Sequence, residues 1–483
     1  MKSIYLFLVS IFLFSTLYAQ TDTLVFTPSK TQKIKSTFSG TLHQKTSAHF
    51  VILEDKTSDN FAIKLFVVEK EDTITEFDLV FYEKNPTILS HHVNNNTITI
   101  LTRQTHVKKN KRAGTKSFSN KGTSTIQLTI TDFNIETKEI TKRNIARKKK
   151  NEDRYIQTPE STICLQYKDD HLFLNKITNS QIIDSLKIKP KKEDLKIAKE
   201  IFTNYQFVDT KEYVEKGSLS STKAYFYDDT LFFTHSNTKK NQIVTTVLNF
   251  DKNETPVFRT TPLPKNITSV ATYVVNKDLF IFCRNMTDMY LNIDNIITGE
   301  SKYKTALREK LASHFDTEIL NKLHKKLSRK TNYPIITVNE SIDHNLVLRF
   351  DYANPQTYSY HHNLWFHQQM MWNQQMMMQQ IHQNTLNNLP RFGPNPIEDI
   401  AGLFFKPKKK DLSLKLVLDS NYAPLKDANT ETIKVDIDKN EYLNNAKKTY
   451  DIKYVSMAFL NDSYRYIQYA PSSNSVTIKK EEY

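Results

Sequence analysis

The chain has 483 residues, of which 25% are charged, and its 67 basic side chains against 52 acidic ones give a formal charge of +15. Of those bases 55 are lysine and only 12 arginine, which argues against nucleic-acid reading, where the forked guanidinium dominates. Seven glycines, none clustered into a phosphate-cradling loop, and the absence of GxSxG and HExxH argue against nucleotide enzymes, elbow-type serine hydrolases and HExxH zinc proteases.

Residues 1–19 read as a signal peptide. Lys2 supplies the positive end, Ile4 to Leu17 the apolar stretch, and Ala19 the small residue before a cut at Gln20. The apolar stretch is short for a membrane span, which takes about 20 residues, and nothing downstream approaches such length. The expectation is an exported protein of the periplasm, the cell surface or the medium, with no transmembrane segment after cleavage and no nucleic-acid partner.

From residue 20 to 355 the strongest signal is a recurring hairpin. Two alternating apolar strands flank a turn of Asn and Asp around Asn95, Asp169, Asp228, Lys277 and His344, and again around Asn461. Asn and Asp tolerate the left-handed backbone that tight hairpins require, so they replace the missing glycines. Successive turns lie 74, 59, 49, 67 and 117 residues apart. A propeller blade takes about 40 to 50 residues, so these spacings suit blades carrying insertions. The predicted fold is therefore all-β dominated, a β-propeller-like array of about six to seven blades with helical insertions. The alternative is two β-rich domains with a helical insertion.

Helices are predicted over 191–202, with Leu195, Ala198, Ile201 and Phe202 on one stripe, and over 302–327 as a helical hairpin hinged near His314–Asp316. Asp316 and Thr317 are placed to start the second helix of that pair. Cys164 and Cys283 lie in strand-like runs and read as buried free thiols, although export permits a disulfide. Lysine-rich stretches at 108–121, 142–150 and 406–410 read as solvated surface, with contact to an anionic surface as the functional alternative.

Residues 356–410 form a charge-poor insertion, and 411–483 supply C-terminal strands that complete the β domain. Tyr352 to Pro390 is a 39-residue run without Lys, Arg, Asp or Glu, and it holds both tryptophans and five of the nine methionines. Such a run is not an ordinary solvated loop. Its large aromatics, Trp365 and Trp372, with Met376 beside them on a helical projection, are the expected partner contacts. On the opposite side of that projection fall His367, Met371, Met378 and His382. Thioether with imidazole suits a soft metal such as copper(I), but Met371 and Met378 stand two turns, about 10 Å, apart. They would form two separate pairs with His367 and His382.

No compact acid–base or nucleophile–base set stands out, and no catalytic residue and no cofactor are assigned. Asp170 and Asp229 are the nominees for a hydrolytic carboxylate pair, and His91 and His92, adjacent in a strand, are expected to face opposite ways. The function expected is non-catalytic: an exported binding or scaffold protein whose partner is an envelope protein or polysaccharide. The alternatives are a carbohydrate-active enzyme with a propeller pocket and a soft-metal handling protein using the His/Met segment.

Overall fold

The computed structural model describes residues 23–43, 45–58, 60–108, 123–148, 154–210, 217–250, 256–353, 412–426 and 452–482, with isolated positions between 433 and 445. Residues 1–19, expected to be a signal peptide, most of the charge-free run and the lysine-rich stretch at 406–410 lie outside these residues.

The protein is all-β with helical insertions, and among the described residues its strands fall into seven sheets, antiparallel but for one short parallel pairing. The first sheet runs through Gln32–His43, Thr46–Asp55, Phe61–Val68 and Ile74–Glu76, with Val80–Tyr82 added to its third strand. The second uses Thr87–Asn94, Thr97–Lys108, Thr123–Asn134 and Ile140–Lys148. The third follows with Arg154–Gln157, Thr162–Lys168, His171–Ile177 and Ile183–Ile188. In the fourth, Thr222–Tyr227, Thr230–Asn237, Gln242–Asn249 and Phe258–Pro262 form the meander, and Gln206–Phe207 joins its first strand in parallel.

Ser269–Val275, Asp278–Arg284, Met289–Asn295 and Ser301–Ala306 make the fifth sheet. The sixth is Tyr333–Glu340, Leu346–Ala353, Leu414–Leu418 and Pro424–Leu425. The seventh takes Lys453–Phe459, Ser463–Ala470 and Ser475–Glu482 from one end of the chain and Thr23–Phe26 from the other.

The turn chemistry explains why this sequence makes so many meanders with so few glycines. Among loops described in full, four hairpins close on two residues, with Asn94 opposite Thr97, Lys168 opposite His171, Tyr227 opposite Thr230 and Val275 opposite Asp278. All eight loop residues, from Asn95 and Asn96 to Asn276 and Lys277, sit at φ between 44° and 70°, the paired left-handed geometry that matches strand twist. Wider turns use a second device. The side-chain oxygens of Asn134, Asn179, Asn285 and Asn295 each accept from the backbone N–H groups two and three residues on. Asparagine thus supplies in side-chain bonds what glycine would supply in backbone freedom.

Alternation buries both faces of many strands where successive sheets pack on one another. Ile63 and Phe50 of the first sheet share a core with Ile98 and Phe133 of the second. Leu101 and Ile130 meet Cys164 and Ile177 of the third, whose Leu165 and Leu174 pack with Phe233 of the fourth. Tyr225, Phe280 and Phe350 belong to one core through the fourth, fifth and sixth sheets, and Ile467 and Val476 of the seventh pack on Phe66 and Val51 of the first.

The seam between the last and first sheets is also tied by polar bonds. Arg465, 1% exposed, donates to the carbonyls of Lys45, Val68 and Glu69 and pairs with Asp72 at 2.7 Å. Thr37 donates to the Tyr454 carbonyl, and the Ser39 and Ser456 hydroxyls meet at 2.9 Å.

Of the two predicted helical insertions, the first is a 3-10 turn at Lys192–Asp194 running into an α-helix at Leu195–Thr203, which buries Ala198, Ile201 and Phe202. The second differs from expectation. Ser301–Ala306 is a strand, because Tyr303 and Thr305 pair with Ile293 and Leu291 along the edge of the fifth sheet. Only then come a single helical turn at Leu307–Lys310 and an α-helix at Thr317–Leu327. Asp316 caps the latter, accepting from the N–H groups of Glu318 and Ile319, and Leu320, Leu323 and Leu327 are buried. Cys164 and Cys283 are both buried, and no disulfide joins them.

Candidate functional site

The expected partner contacts Trp365, Trp372 and Met376, and the expected soft-metal ligands His367, Met371, Met378 and His382, all lie outside the described residues. What the structure does fix is where their segment attaches. It leaves after Ala353 and returns at Leu414, between two strands that pair directly from Leu346 with Leu418 to Phe350 with Leu414.

The nominated carboxylates do not form a pair. Asp170 closes the turn between the second and third strands of its sheet, whereas Asp229 closes a turn between the first and second strands of the next. Lys176, at the far end of strand His171–Ile177 from Asp170, is the residue that reaches Asp229, at 3.5 Å. The two acids therefore lie toward opposite ends of a strand about 20 Å long, while glycoside hydrolysis needs carboxylates about 5–10 Å apart. Both are exposed and in left-handed turn geometry; turn-making accounts for them.

His91 and His92 face opposite ways, as adjacent strand residues must. The His91 ring meets Phe38 of the first sheet edge-on at 5.3 Å, and a Cβ at Gly40 would lie 1.9 Å from its Nε2, so only glycine allows this approach. His92 turns to the third sheet, with Nδ1 3.2 Å from the Thr162 hydroxyl and Nε2 2.8 Å from the Thr178 carbonyl. His49 lies between the Ser39 and Ser47 hydroxyls at 2.8 and 2.9 Å. Burial, and then the Arg465 charge, lowers the His49 pKa to about 3. Burial first, and its neighbour second, lowers His91 to about 4; burial takes His92 to about 4 as well. All three are buried and neutral: His92 hydrogen-bonds from the second sheet to the third, His49 bonds within the first, and His91 packs on Phe38 across the first seam. Among the described residues no group of three His, Cys, Asp or Glu side chains is placed to hold a metal ion.

The densest polar constellation surrounds the first strand of the fourth sheet. Successive residues again face opposite ways. Thr222 bonds His235 Nδ1 at 2.8 Å, and His235 Nε2 lies 3.5 Å from Glu200 on the helix Leu195–Thr203. The order hydroxyl, imidazole, carboxylate is that of a nucleophile relay, yet Thr222 is 2% exposed, and its cross-strand pairing with His235 accounts for the contact.

On the other face Lys223 is equally buried. Its Nζ donates to the Thr272 carbonyl of the fifth sheet at 2.7 Å, and Tyr225 Oη donates to the same oxygen at 3.4 Å. The Thr234 and Thr272 hydroxyls meet beside them at 3.0 Å. Burial alone lowers the Lys223 pKa to about 7.

The chain around this strand also reaches across to the sixth sheet. Gln206–Phe207 pairs with Lys223 and Ala224, and the Gly217 N–H donates to the Thr337 hydroxyl at 2.8 Å. A Cβ at Gly217 would sit 2.4 Å from the Ile336 carbonyl oxygen, so this crossing is packed against backbone. Sequence reasoning missed Lys223 because one lysine among 55 carries no local mark of burial. Its place in a strand opening with Thr222-Lys223-Ala224-Tyr225 was the only available signal.

No family model matches the chain, and no curated protein matches it. Solved structures similar to it include an ACO/RPE65 chimera, at 8% identity over 58% of this chain and 63% of that one, with a TM-score of 0.28. A mutant of the Synechocystis apocarotenoid oxygenase (ACO) is similar at 7% identity over 58% and 63%, with a TM-score of 0.29. An uncharacterized protein from Listeria monocytogenes EGD-e stands at 9% identity over 59% and 69%, with a TM-score of 0.27. The chain thus spans 63% of the length of the first two. Likeness of this degree carries no argument about activity or ligand. Among the described residues no helix is long and apolar enough to cross a membrane.

Proposed function

We propose that this chain is an exported, non-catalytic binding or scaffold protein of the bacterial envelope, built as a seven-bladed β-propeller that presents the charge-free segment to a partner. The propeller reading is supported by seven consecutive meanders, of which the first six pack in succession and the seventh packs on the first, and by the strand Thr23–Phe26 completing the sheet of the chain's other end. Such terminal sharing links first and last repeats in a closed array.

One observation carries the binding reading. The strands on either side of the segment pair in unbroken register, Leu346–Phe350 against Leu414–Leu418, so the sixth sheet is complete without it. A long charge-poor insertion that its own sheet does not require, and that holds both tryptophans, is suited to contact with a partner protein or polysaccharide. Trp365 and Trp372, with Met376, are the proposed anchors, since buried aromatics dominate interface energetics.

The test is capture from the source organism's envelope by tagged protein, with Trp365→Ala and Trp372→Ala beside wild type. Loss of a partner anchor worth about 2 kcal/mol corresponds to roughly 30-fold weaker capture, with unchanged melting. Equal capture by the folded variants would overturn the assignment.

A further inference from the structure

We propose that Lys223 is a reactive amine that forms an imine with a small aldehyde, giving this protein a covalent ligand site in the seam between its fourth and fifth sheets. An ammonium carries three donors, and in this seam the Lys223 Nζ meets one acceptor, the Thr272 carbonyl at 2.7 Å. No carboxylate pairs with it among the described residues; burial is the sole influence on its protonation. The surroundings are a phenol and hydroxyls: Tyr225 at the same carbonyl, Thr234 and Thr272 beside it. The Tyr273 ring stands against Tyr225 at 6.0 Å, and its buried hydroxyl has no hydrogen-bond partner among the described residues. Around the amine, among the described residues, these bonds place a carbonyl and hydroxyls, and burial in such a setting favours the neutral amine over the cation.

A desolvated lysine of lowered basicity keeps its lone pair near neutral pH, and that is how lysine becomes a nucleophile toward carbonyls. In the step proposed, the Lys223 nitrogen attacks the aldehyde carbon and a proton passes from nitrogen to the former carbonyl oxygen. The resulting carbinolamine then loses that oxygen as water and leaves a C=N bond. Amine plus aldehyde gives imine plus water, with no oxidant or reductant consumed. Tyr225, which burial holds as the phenol, stands two residues along the same strand face and is placed to donate a hydrogen bond to the departing hydroxyl.

Lys223 is 2% exposed, and strand Gln206–Phe207 pairs beside it in the same sheet, so access is part of the test. The full chain is treated at pH 7 with acetaldehyde and limiting cyanoborohydride, which fixes any imine as an ethylamine, and peptide mapping ranks the lysines by rate. An amine of pKa about 7 is half neutral there, against about one part in 2,500 for an exposed lysine near 10.4. Lys223 is therefore expected to label at least tenfold faster than the surface lysines, with a rate that levels off above pH 7 while theirs keep rising. Tyr225→Phe should slow labelling severalfold without lowering the melting temperature. Lys223→Met, which keeps the length of the side chain, should remove the fast site alone. Labelling of Lys223 no faster than the surface lysines, or only in denaturant, would overturn the proposal and leave Lys223 as a structural tie.

Discussion

Acidification from pH 7 to pH 5 should cost this protein most of its stability, and three buried histidines set the size of the loss. His49, His91 and His92 have folded-state values of about 3, 4 and 4 against an unfolded value near 6.5. Below pH 6.5 the unfolded chain therefore binds protons that the folded chain refuses, and stability falls as pH falls through that window. pH 5 lies about 1.5 units below the unfolded value, which costs about 2 kcal/mol per group and about 6 kcal/mol for three. A whole domain retains only about 5–15 kcal/mol. His235 and His324, both lowered by burial, act in the same direction. The assay is urea unfolding followed by tyrosine fluorescence at half-unit steps from pH 7.5 to 5. The expected result is a steep fall of the midpoint below pH 6.5, and a folded His92→Gln variant should lose about 2 kcal/mol of the pH dependence. A midpoint flat between pH 7 and 5 would refute the reasoning, since it would mean that the imidazoles titrate as if in water.

Other perturbations follow from single contacts. Arg465→Met strips three backbone carbonyls and Asp72 of a buried guanidinium and should destabilise the chain by about 3–5 kcal/mol in chemical denaturation; a change below 1 kcal/mol would contradict the tie between last and first sheets. Asp170→Gly relieves a left-handed residue at φ 58° and should stabilise by about 1 kcal/mol, measured by the same unfolding curve. Asp316→Ala removes the cap of helix Thr317–Leu327 at a cost of about 1 kcal/mol. The Cys283 thiol, pushed up to about 12 by burial, should resist a thiol reagent at pH 8 in the native protein and react at once in denaturant.

The hairpins were readable because their determinants are local. Apolar alternation on either side of Asn95-Asn96 or Asp228-Asp229 specifies both the strands and the turn, whatever the rest of the chain does. The helix at Thr317–Leu327 was equally legible, from its Asp316 cap and leucine stripe. Residues 301–306 were not. Lys302 to Ala306 has helical neighbours in sequence, and only the open edge beside Met289–Asn295 makes it a strand, a tertiary override of local preference.

The polar ties had the same problem. Ser39 and Ser456 are 417 residues apart, and nothing near either predicts the other. The Asp170 and Asp229 nomination failed for a related reason: similar turn sequences sit between different strand pairs, which reverses the end of the sheet on which each lies.

The most direct test of a self-sufficient β body with a partner-seeking insertion is to excise the insertion. Joining Ala353 to Asp411 through Asn-Gly would continue the register that pairs Phe350 with Leu414 and close the sixth sheet as a hairpin. The account predicts that this variant melts within about 2 °C of wild type, as expected for ΔΔG below about 1 kcal/mol in a chain of this size, and captures no partner from the envelope. A variant that fails to fold, or that folds and still captures the same partner, would contradict it.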